Sequence, residues 1–339
     1  MLRIGVLGLG YWGPKLAKNF VSVKGVCVSA VCDQRSELLQ AVRQILPDAF
    51  ATTDYAEMLS GDRVDAVAVV TAPQQHFDPV KRALESGKHV FVEKPLAVSY
   101  AEAVALKDLA AAARLVLMTD HTFCYDLAFA RIRDALIQGE LGAVRFARME
   151  WLAAREKAAG PDVLWDSGPH AVAALQYFFG LDRGEVSFNE VGRLPGGVLA
   201  AAQGSLRSAA VAAELEIAWA GQCLRSKPVA KAARVTLFGD RATLVYEGSF
   251  GSRKAQVIPC ALPHDWRWGM DTPKPAAPMA GLSYDDQPLV NACSAFAAAV
   301  AGQAPCITDG SFATGVVAVL EAAQRSLQSG GLPTAFQTR

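Results

Sequence analysis

Over roughly the first 120 residues, short β-branched apolar runs alternate with amphipathic stretches. The apolar runs fall at residues 4–7, 26–31, 66–70, 90–92 and 115–118, and helix-like segments lie at 15–21, 36–46, 55–59, 77–86 and 100–113. Strand alternating with helix at this spacing predicts an α/β domain whose parallel sheet is covered on both faces. From Asp126 the period changes. Phe129, Ile132 and Leu136 fall at helical spacing, and Gly139 or Gly142 closes that helix. Residues 144–152, 209–219, 235–238 and 244–246 read as strands, with Gly239-Asp240 as a hairpin turn. Strands in series predict a mostly antiparallel sheet, hence a second, α+β domain. One helix, residues 167–179, interrupts it. Residues 192–197 and 259–288 are proline- and glycine-rich loops, the second long enough to be a functional cover or an oligomer contact. In the tail, Val316, Leu320, Ala323 and Leu327 keep one helix face apolar until Gly330-Gly331 ends it. The expected division is residues 1–120 and 121–339, with the C-terminal helix packing back on the first domain, and no internal repeat is seen.

Composition narrows the function classes. Lys and Arg total 33 against 33 Asp and Glu, with no basic run, which argues against a nucleic-acid groove or a membrane-surface patch. The 7 cysteines form no C-x-x-C pair and read as small apolar fillers in a reducing compartment; no metal site is expected. Met1-Leu2-Arg3 leads directly into a glycine-punctuated strand, without the pattern of a signal peptide, and no apolar run is long enough to span a bilayer. The expected location is the cytoplasm.

Gly8-Leu9-Gly10-Tyr11-Trp12-Gly13 fits G-x-G-x-x-G between a strand and a helix, the setting in which this motif signals a dinucleotide-binding Rossmann turn. Gly8 permits the tight turn, Gly10 lets backbone approach a pyrophosphate, and Gly13 lets helix and strand pack closely. The helix N-terminus then offers unpaired N–H groups to phosphate. Asp33 ends the second strand, where an acid grips the adenosine ribose and repels a 2′-phosphate. NAD is therefore favoured as cofactor, with Arg35 keeping NADP open as a minority alternative.

The strand at 90–92 ends in Glu93-Lys94-Pro95, and ligands of open parallel sheets gather beyond the carboxyl ends of the strands. Trp165-Asp166-Ser167-Gly168-Pro169-His170 opens the helix of the second domain. Asp166 suits an N-cap, and His170 lies about one turn on, where the positive helix end disfavours the imidazolium. Taken singly, these residues have ordinary explanations: a surface lysine, a helix cap, a structural histidine. Together Lys94, Asp166 and His170 can serve alcohol–ketone redox chemistry, in which a base takes a hydroxyl proton and a cation steadies the oxyanion.

These motifs, with Thr71-Ala72-Pro73 to His76 and the ending Thr308-Asp309-Gly310, resemble the Gfo/Idh/MocA oxidoreductase family over essentially the whole chain. The resemblance implies an N-terminal Rossmann domain and a C-terminal open-faced sheet used for oligomer contacts, here a homo-dimer or homo-tetramer. It makes Lys94 a proton-transfer and positioning residue, with Asp166 and His170 on substrate hydroxyls and His170 the acid/base. It gives Glu93 and Pro95 to the nicotinamide site, with a Lys-Pro bond that is often cis, and Thr71, Ala72, Pro73 and His76 to the cofactor. His121-Thr122-Phe123-Cys124-Tyr125 echoes sugar-modifying members, which would turn His121 and Tyr125 toward substrate; a packed aromatic loop is the equal alternative. Many relatives carry an acid where this chain has Ala173, and Trp165 would offer an apolar wall. The implied activity is NAD-dependent hydroxyl–keto interconversion on a sugar, nucleotide sugar or cyclic polyol. The alternatives are a non-sugar substrate (imine, enone or aromatic diol) and a non-catalytic dinucleotide-sensing regulator.

Overall fold

The computed structural model describes residues 1–153, 161–219, 231–249, 252–259 and 287–338. Its first elements are β1 (Leu2–Leu7), α1 (Gly13–Val21), β2 (Val26–Cys32), α2 (Ser36–Val42), β3 (Phe50–Thr52), α3 (Tyr55–Leu59), β4 (Ala66–Val69), α4 (Phe77–Glu85), β5 (His89–Glu93), α5 (Tyr100–Ala113) and β6 (Leu117–Asp120). There follow α6 (Leu127–Ile137), β7 (Val144–Ala153), α7 (Val163–Asp166), α8 (Gly168–Phe179), β8 (Arg183–Arg193), β9 (Leu199–Ser208) and β10 (Ala212–Trp219). The last are β11 (Lys231–Gly239), β12 (Ala242–Ser249), β13 (Ser252–Pro259), α9 (Pro288–Val300), α10 (Gly310–Gln328) and β14 (Thr334–Gln337). Two compact units result: Met1–Asp126 with Gln287–Ala318, and Leu127–Asp286 with Val319–Arg339.

In the first unit a six-stranded sheet has the order β3-β2-β1-β4-β5-β6, with each pair parallel. The order reverses between β1 and β4, the switch point where such sheets bind ligands. Every residue of β4 is buried, as a strand covered on both faces requires. The units do not follow a cut at residue 120, because a distant segment completes the first core. Phe296 of α9 meets Phe20 at 6.1 Å and Phe91 at 5.6 Å between ring centroids, edge to face. Asn291 donates to the Tyr125 carbonyl at 3.0 Å, and the Thr308 hydroxyl donates to the Thr119 backbone carbonyl at 2.6 Å. α10 is counted with the first unit up to Ala318 and with the second from Val319.

In the second unit the sheet order is β13-β12-β11-β7-β10-β9-β8-β14, antiparallel except for β7 with β10. One face is apolar, with Met149, Trp151, Leu215, Ile217, Val235 and Leu237 buried. Phe129 of α6 packs on Phe178 of α8 at 5.1 Å and on Tyr246 of β12 at 5.2 Å. The other face carries cross-strand ion pairs, Arg148–Glu214 at 2.6 Å and Arg234–Glu247 at 2.7 Å. At half-exposed positions these contribute little stability.

Several elements differ from the sequence expectation. β8 carries Arg, Glu and Asn, and β9 is rich in Ala, Gly and Ser; neither looks strand-like until paired, and Leu194 to Val198 closes them into a hairpin. The expected helix 167–179 is α8, and a short helical turn that the sequence did not suggest, α7, precedes it. The hairpin at Gly239-Asp240 joins β11 and β12 as its sequence suggests. Of the long expected loop 259–288, residues 260–286 lie outside the described residues.

Phe296→Ala removes the ring that closes the Phe20–Phe91 cluster. It should cost about 3–5 kcal/mol in urea unfolding of the full chain. A loss below about 1 kcal/mol would show that α9 is not part of that core.

Candidate active site

The glycine turn is built for close backbone approach. Gly8 has φ +92°, and a Cβ there would meet the Val70 carbonyl oxygen at 2.6 Å; one at Gly13 would meet that of Gly8 at 2.2 Å. A Cβ at Gly10 would have no neighbour nearer than Arg35 Nη2 at 3.9 Å, so that backbone stands open. α1 has no acid in its first turn to compete for its N-terminal N–H groups. These features fit a dinucleotide pyrophosphate. Tyr11 is 70% exposed and Trp12 sits edge-on to it at 5.2 Å. Lys15 Nζ lies 3.5 Å from the Tyr11 ring centroid, a cation–π contact at the mouth of the turn.

Asp33 is buried and accepts from Leu9 N at 2.7 Å, tying the end of β2 to the turn. Arg35 binds the same carboxylate through Nε at 3.0 Å and Nη2 at 3.1 Å. Burial pushes the Asp33 carboxyl up, but the Arg35 guanidinium and two backbone N–H bonds outweigh it and hold the pKa below the ordinary value. Asp33 is thus an anion at neutral pH, with Arg35 partly balancing its charge.

Thr71 and Pro73 are half-buried and Ala72 exposed, just past β4. His76 is 0% exposed. Its Nδ1 lies 2.7 Å from the Pro95 carbonyl oxygen and its Nε2 3.1 Å from that of Thr71. Burial lowers its pKa; the two carbonyls pull upward and the Lys94 charge downward. A neutral ring can donate to only one of them. His76 therefore sits between the loop after β4 and the loop after β5, its one N–H donating to one of these two carbonyls. Glu93 and Lys94 stand half-buried at the carboxyl end of β5, and the Lys94–Pro95 peptide is cis.

At the end of β6, Asp120 lies opposite Glu93 in register. His121 is 2% exposed, with no hydrogen-bond partner on either ring nitrogen, and tilts against Phe312 at 5.6 Å. Burial, reinforced by the Lys94 charge, lowers its pKa to about 3. Tyr125 is also buried, its hydroxyl 2.9 Å from that of Thr308. Within their unit both side chains are buried.

In the second unit, Asp162 and not Asp166 caps a helical turn, its Oδ1 accepting from Trp165 N at 3.1 Å. Asp166 is the last residue of α7, and its Oδ2 accepts from Trp219 Nε1 at 3.3 Å. His170, buried in the first turn of α8, stacks on Trp151 at 5.6 Å with an 18° interplanar angle. Trp165 is 6% exposed and its Nε1 donates to Gln324 Oε1 at 2.7 Å. Trp165 is thus buried, with its polar tip bound to Gln324. Ala173 is buried in α8. Sequence reasoning missed Trp151 and Trp219, which hold His170 and Asp166. Their signal was the inward register of β7 and β10, where alternation puts both on the apolar face. Among the described residues no group of three or more His, Cys, Asp or Glu could hold a metal ion.

The His121 environment has a measurable consequence. The unfolded chain binds a proton at His121 near pH 6.5, the folded chain only near pH 3. Stability therefore falls as pH drops below 6.5, by about 1.4 kcal/mol per pH unit until the folded group titrates. His121→Phe should flatten this acid limb in melting-temperature scans between pH 7 and 4. An unchanged limb would show that the ring is protonated in the folded chain.

Residues 2–121 match the sequence profile of the GFO_IDH_MocA family, described as "Oxidoreductase family, NAD-binding Rossmann fold". The 4-carboxy-2-hydroxymuconate-6-semialdehyde dehydrogenase of Sphingobium sp. is 29% identical over 184 residues, 52% of this chain and 58% of that one. The scyllo-inositol 2-dehydrogenase (NAD(+)) of Bacillus subtilis is 34% identical over 145 residues, 42% of each chain. The chain thus spans about half the length of the curated relatives it matches. The crystallised UDP-N-acetylglucosamine 3-dehydrogenase GnnA of Acidithiobacillus ferrooxidans superposes with a TM-score of 0.79 over 98% of this chain and 99% of that one. At 22% identity that likeness concerns the fold. The glycine turn, the strand order with its switch point and the profile match converge on one statement: residues 2–121 match the NAD-binding Rossmann fold of the Gfo/Idh/MocA oxidoreductases.

Proposed function

We propose that the protein is an NAD-dependent oxidoreductase that interconverts a hydroxyl and a keto group on a sugar, nucleotide sugar or cyclic polyol. The observation that carries this reading is Lys94. It stands half-buried at the carboxyl end of β5, one strand from the β1/β4 switch point, in a segment braced through Pro95 by His76. When bound, the nicotinamide supplies or accepts the hydride. Gly8, Gly10, Tyr11, Trp12 and Gly13 hold the dinucleotide at its phosphates, and Asp33 at its ribose, where its negative charge selects NAD over NADP. Lys94 presents an ammonium to the substrate oxygen and steadies negative charge there. His170 exchanges the hydroxyl proton at its ring, which the Trp151 stack keeps in one plane. Asp166, anchored by Trp219, orients His170 or a substrate hydroxyl. The relatives named for inositol and for UDP-N-acetylglucosamine support a polyhydroxylated substrate.

A non-sugar substrate is the second reading, favoured by one feature. Ala173 puts a buried methyl group where many relatives carry an acid, and one relative is named for a carboxylated muconate semialdehyde. The half-exposed face of the second sheet supports a homo-dimer or homo-tetramer, and its paired charges suit a contact between copies. Among the described residues no helix is long and apolar enough to cross a membrane. The balanced charge and scattered cysteines suit a cytoplasmic enzyme with no nucleic-acid partner.

A panel of sugars, polyols, nucleotide sugars and flat non-sugars, followed by NADH absorbance, should give turnover with the first three classes. Lys94→Ala and His170→Ala should each lower kcat by about 10²–10⁴ while keeping NADH-dependent thermal stabilisation. Turnover surviving both substitutions would refute the assignment. NADH binding without turnover on any substrate would favour the regulator. Light scattering at micromolar concentration should give two or four times the chain mass; a monomer would refute the sheet contact.

A further inference from the structure

Asp120 has no part in the chemistry proposed above, yet it is the most deeply buried carboxyl at the ligand edge of the first sheet. It is the last residue of β6 and 1% exposed. The parallel register sets it directly beside Glu93, the last residue of β5, so the two side chains leave the sheet on the same face. Thr122 Oγ1 donates to Asp120 Oδ1 at 2.8 Å. One hydroxyl is a thin solvation shell for a buried anion, because a buried ionised carboxylate needs several donors or a close cation. The groups around it are of mixed sign. Glu93 and Lys94 face it from the end of β5, the Cys293 thiol feels both carboxyls from α9, and neutral His121 follows it in the chain. Two carboxyls side by side in a site that excludes water do not both ionise readily, so one of the pair keeps its proton.

We propose that Asp120 is a positioning residue that stays protonated beside an ionised Glu93, so that Lys94 faces one negative charge and not two. The inference rests on the reading of Lys94 as the proton-handling cation. Burial, then the Glu93 charge, drive the Asp120 carboxyl well above the usual carboxylate range, while the Thr122 hydroxyl and the Lys94 charge oppose them only in part. A neutral Asp120 keeps a second negative charge out of the buried layer beside Lys94.

Sign and size can be tested without turnover. The folded chain keeps the Asp120 proton to higher pH than the unfolded chain does. Stability is therefore lost as pH rises from the unfolded value toward the folded one. Asp120→Asn has the shape and neutrality of the protonated acid and lacks this loss. In melting scans of the full chain from pH 5 to 8, with and without NADH, the Asn variant should gain on the wild type by about 2 °C per pH unit. Glu93→Gln, with Asp120 intact, should itself shrink the wild-type loss, which keeps the test alive if Asp120→Asn folds poorly. An Asp120→Asn variant that is less stable than wild type at pH 7–8 would mean an ionised Asp120 paired with Lys94, and would overturn the proposal. So would a loss that Glu93→Gln leaves unchanged. On whichever substrate turns over, Asp120→Asn, which keeps a neutral side chain, should leave the kcat–pH profile through pH 8 as in the wild type, whereas Glu93→Gln should displace it; a displaced Asp120→Asn profile overturns the positioning role. If Lys94→Ala retained turnover, the function assigned to Lys94 would fail, whereas the melting series would still decide the carboxyl pair.

Discussion

Parallel pairing in the first sheet is the constraint on which everything else depends. Strands that run the same way must all end at the same edge, so every side chain just past a strand end joins one layer. Gly8 after β1, Asp33 after β2, Thr71 after β4, Lys94 after β5 and His121 after β6 belong to that layer for this reason alone. Asp120 and Glu93 become neighbours by the same rule, although 26 positions separate them along the chain. A one-residue slip between β5 and β6 would turn one of the two carboxyls to the opposite face.

A layer of polar side chains at a buried edge has to be neutralised or hydrogen-bonded, and the chain solves this differently at each position. Asp33 keeps its charge because Leu9 N and Arg35 satisfy it. His76 gives up its charge and donates its one N–H to one of the two carbonyls beside it. His121 gives up its charge and has no hydrogen-bond partner among the described residues, packing as an aromatic ring beside Phe312. This gradient from satisfied anion to neutral ring leaves Lys94 as the prominent cation of the edge, and it comes from burial more than from composition.

The second unit holds its candidate groups by a different device. Asp166 and His170 are set by tryptophans from the apolar face of the second sheet, Trp219 at the end of β10 and Trp151 in β7. A strand offers rigid, evenly spaced positions, so aromatic residues projecting from it can fix a carboxylate and an imidazole more firmly than a loop could. β7 and β10 form the single parallel pair in this sheet, and Trp151 sits opposite Ile217, two residues before Trp219.

The sequence by itself determined what is local: the strand–helix alternation, the glycine turn with its acid at Asp33, the Glu93-Lys94-Pro95 strand end and the Asp166–His170 cluster. Each of these is written within a few residues, in periodicity or in a conformational need that only glycine or proline meets. Only the tertiary structure decided what depends on distant partners. It brought α9 into the first core through Phe296, drew β8 and β9 out of a weakly patterned segment, and moved the helix cap from Asp166 to Asp162. It also buried Trp165, Tyr125 and His121 beside Gln324, Thr308 and Phe312, far along the chain. Burial is a property of the whole fold, and a side chain's chemistry follows its burial. The identity of Asp120 is plain in the sequence, but its environment as a buried acid beside Glu93 exists only once β5 and β6 have paired.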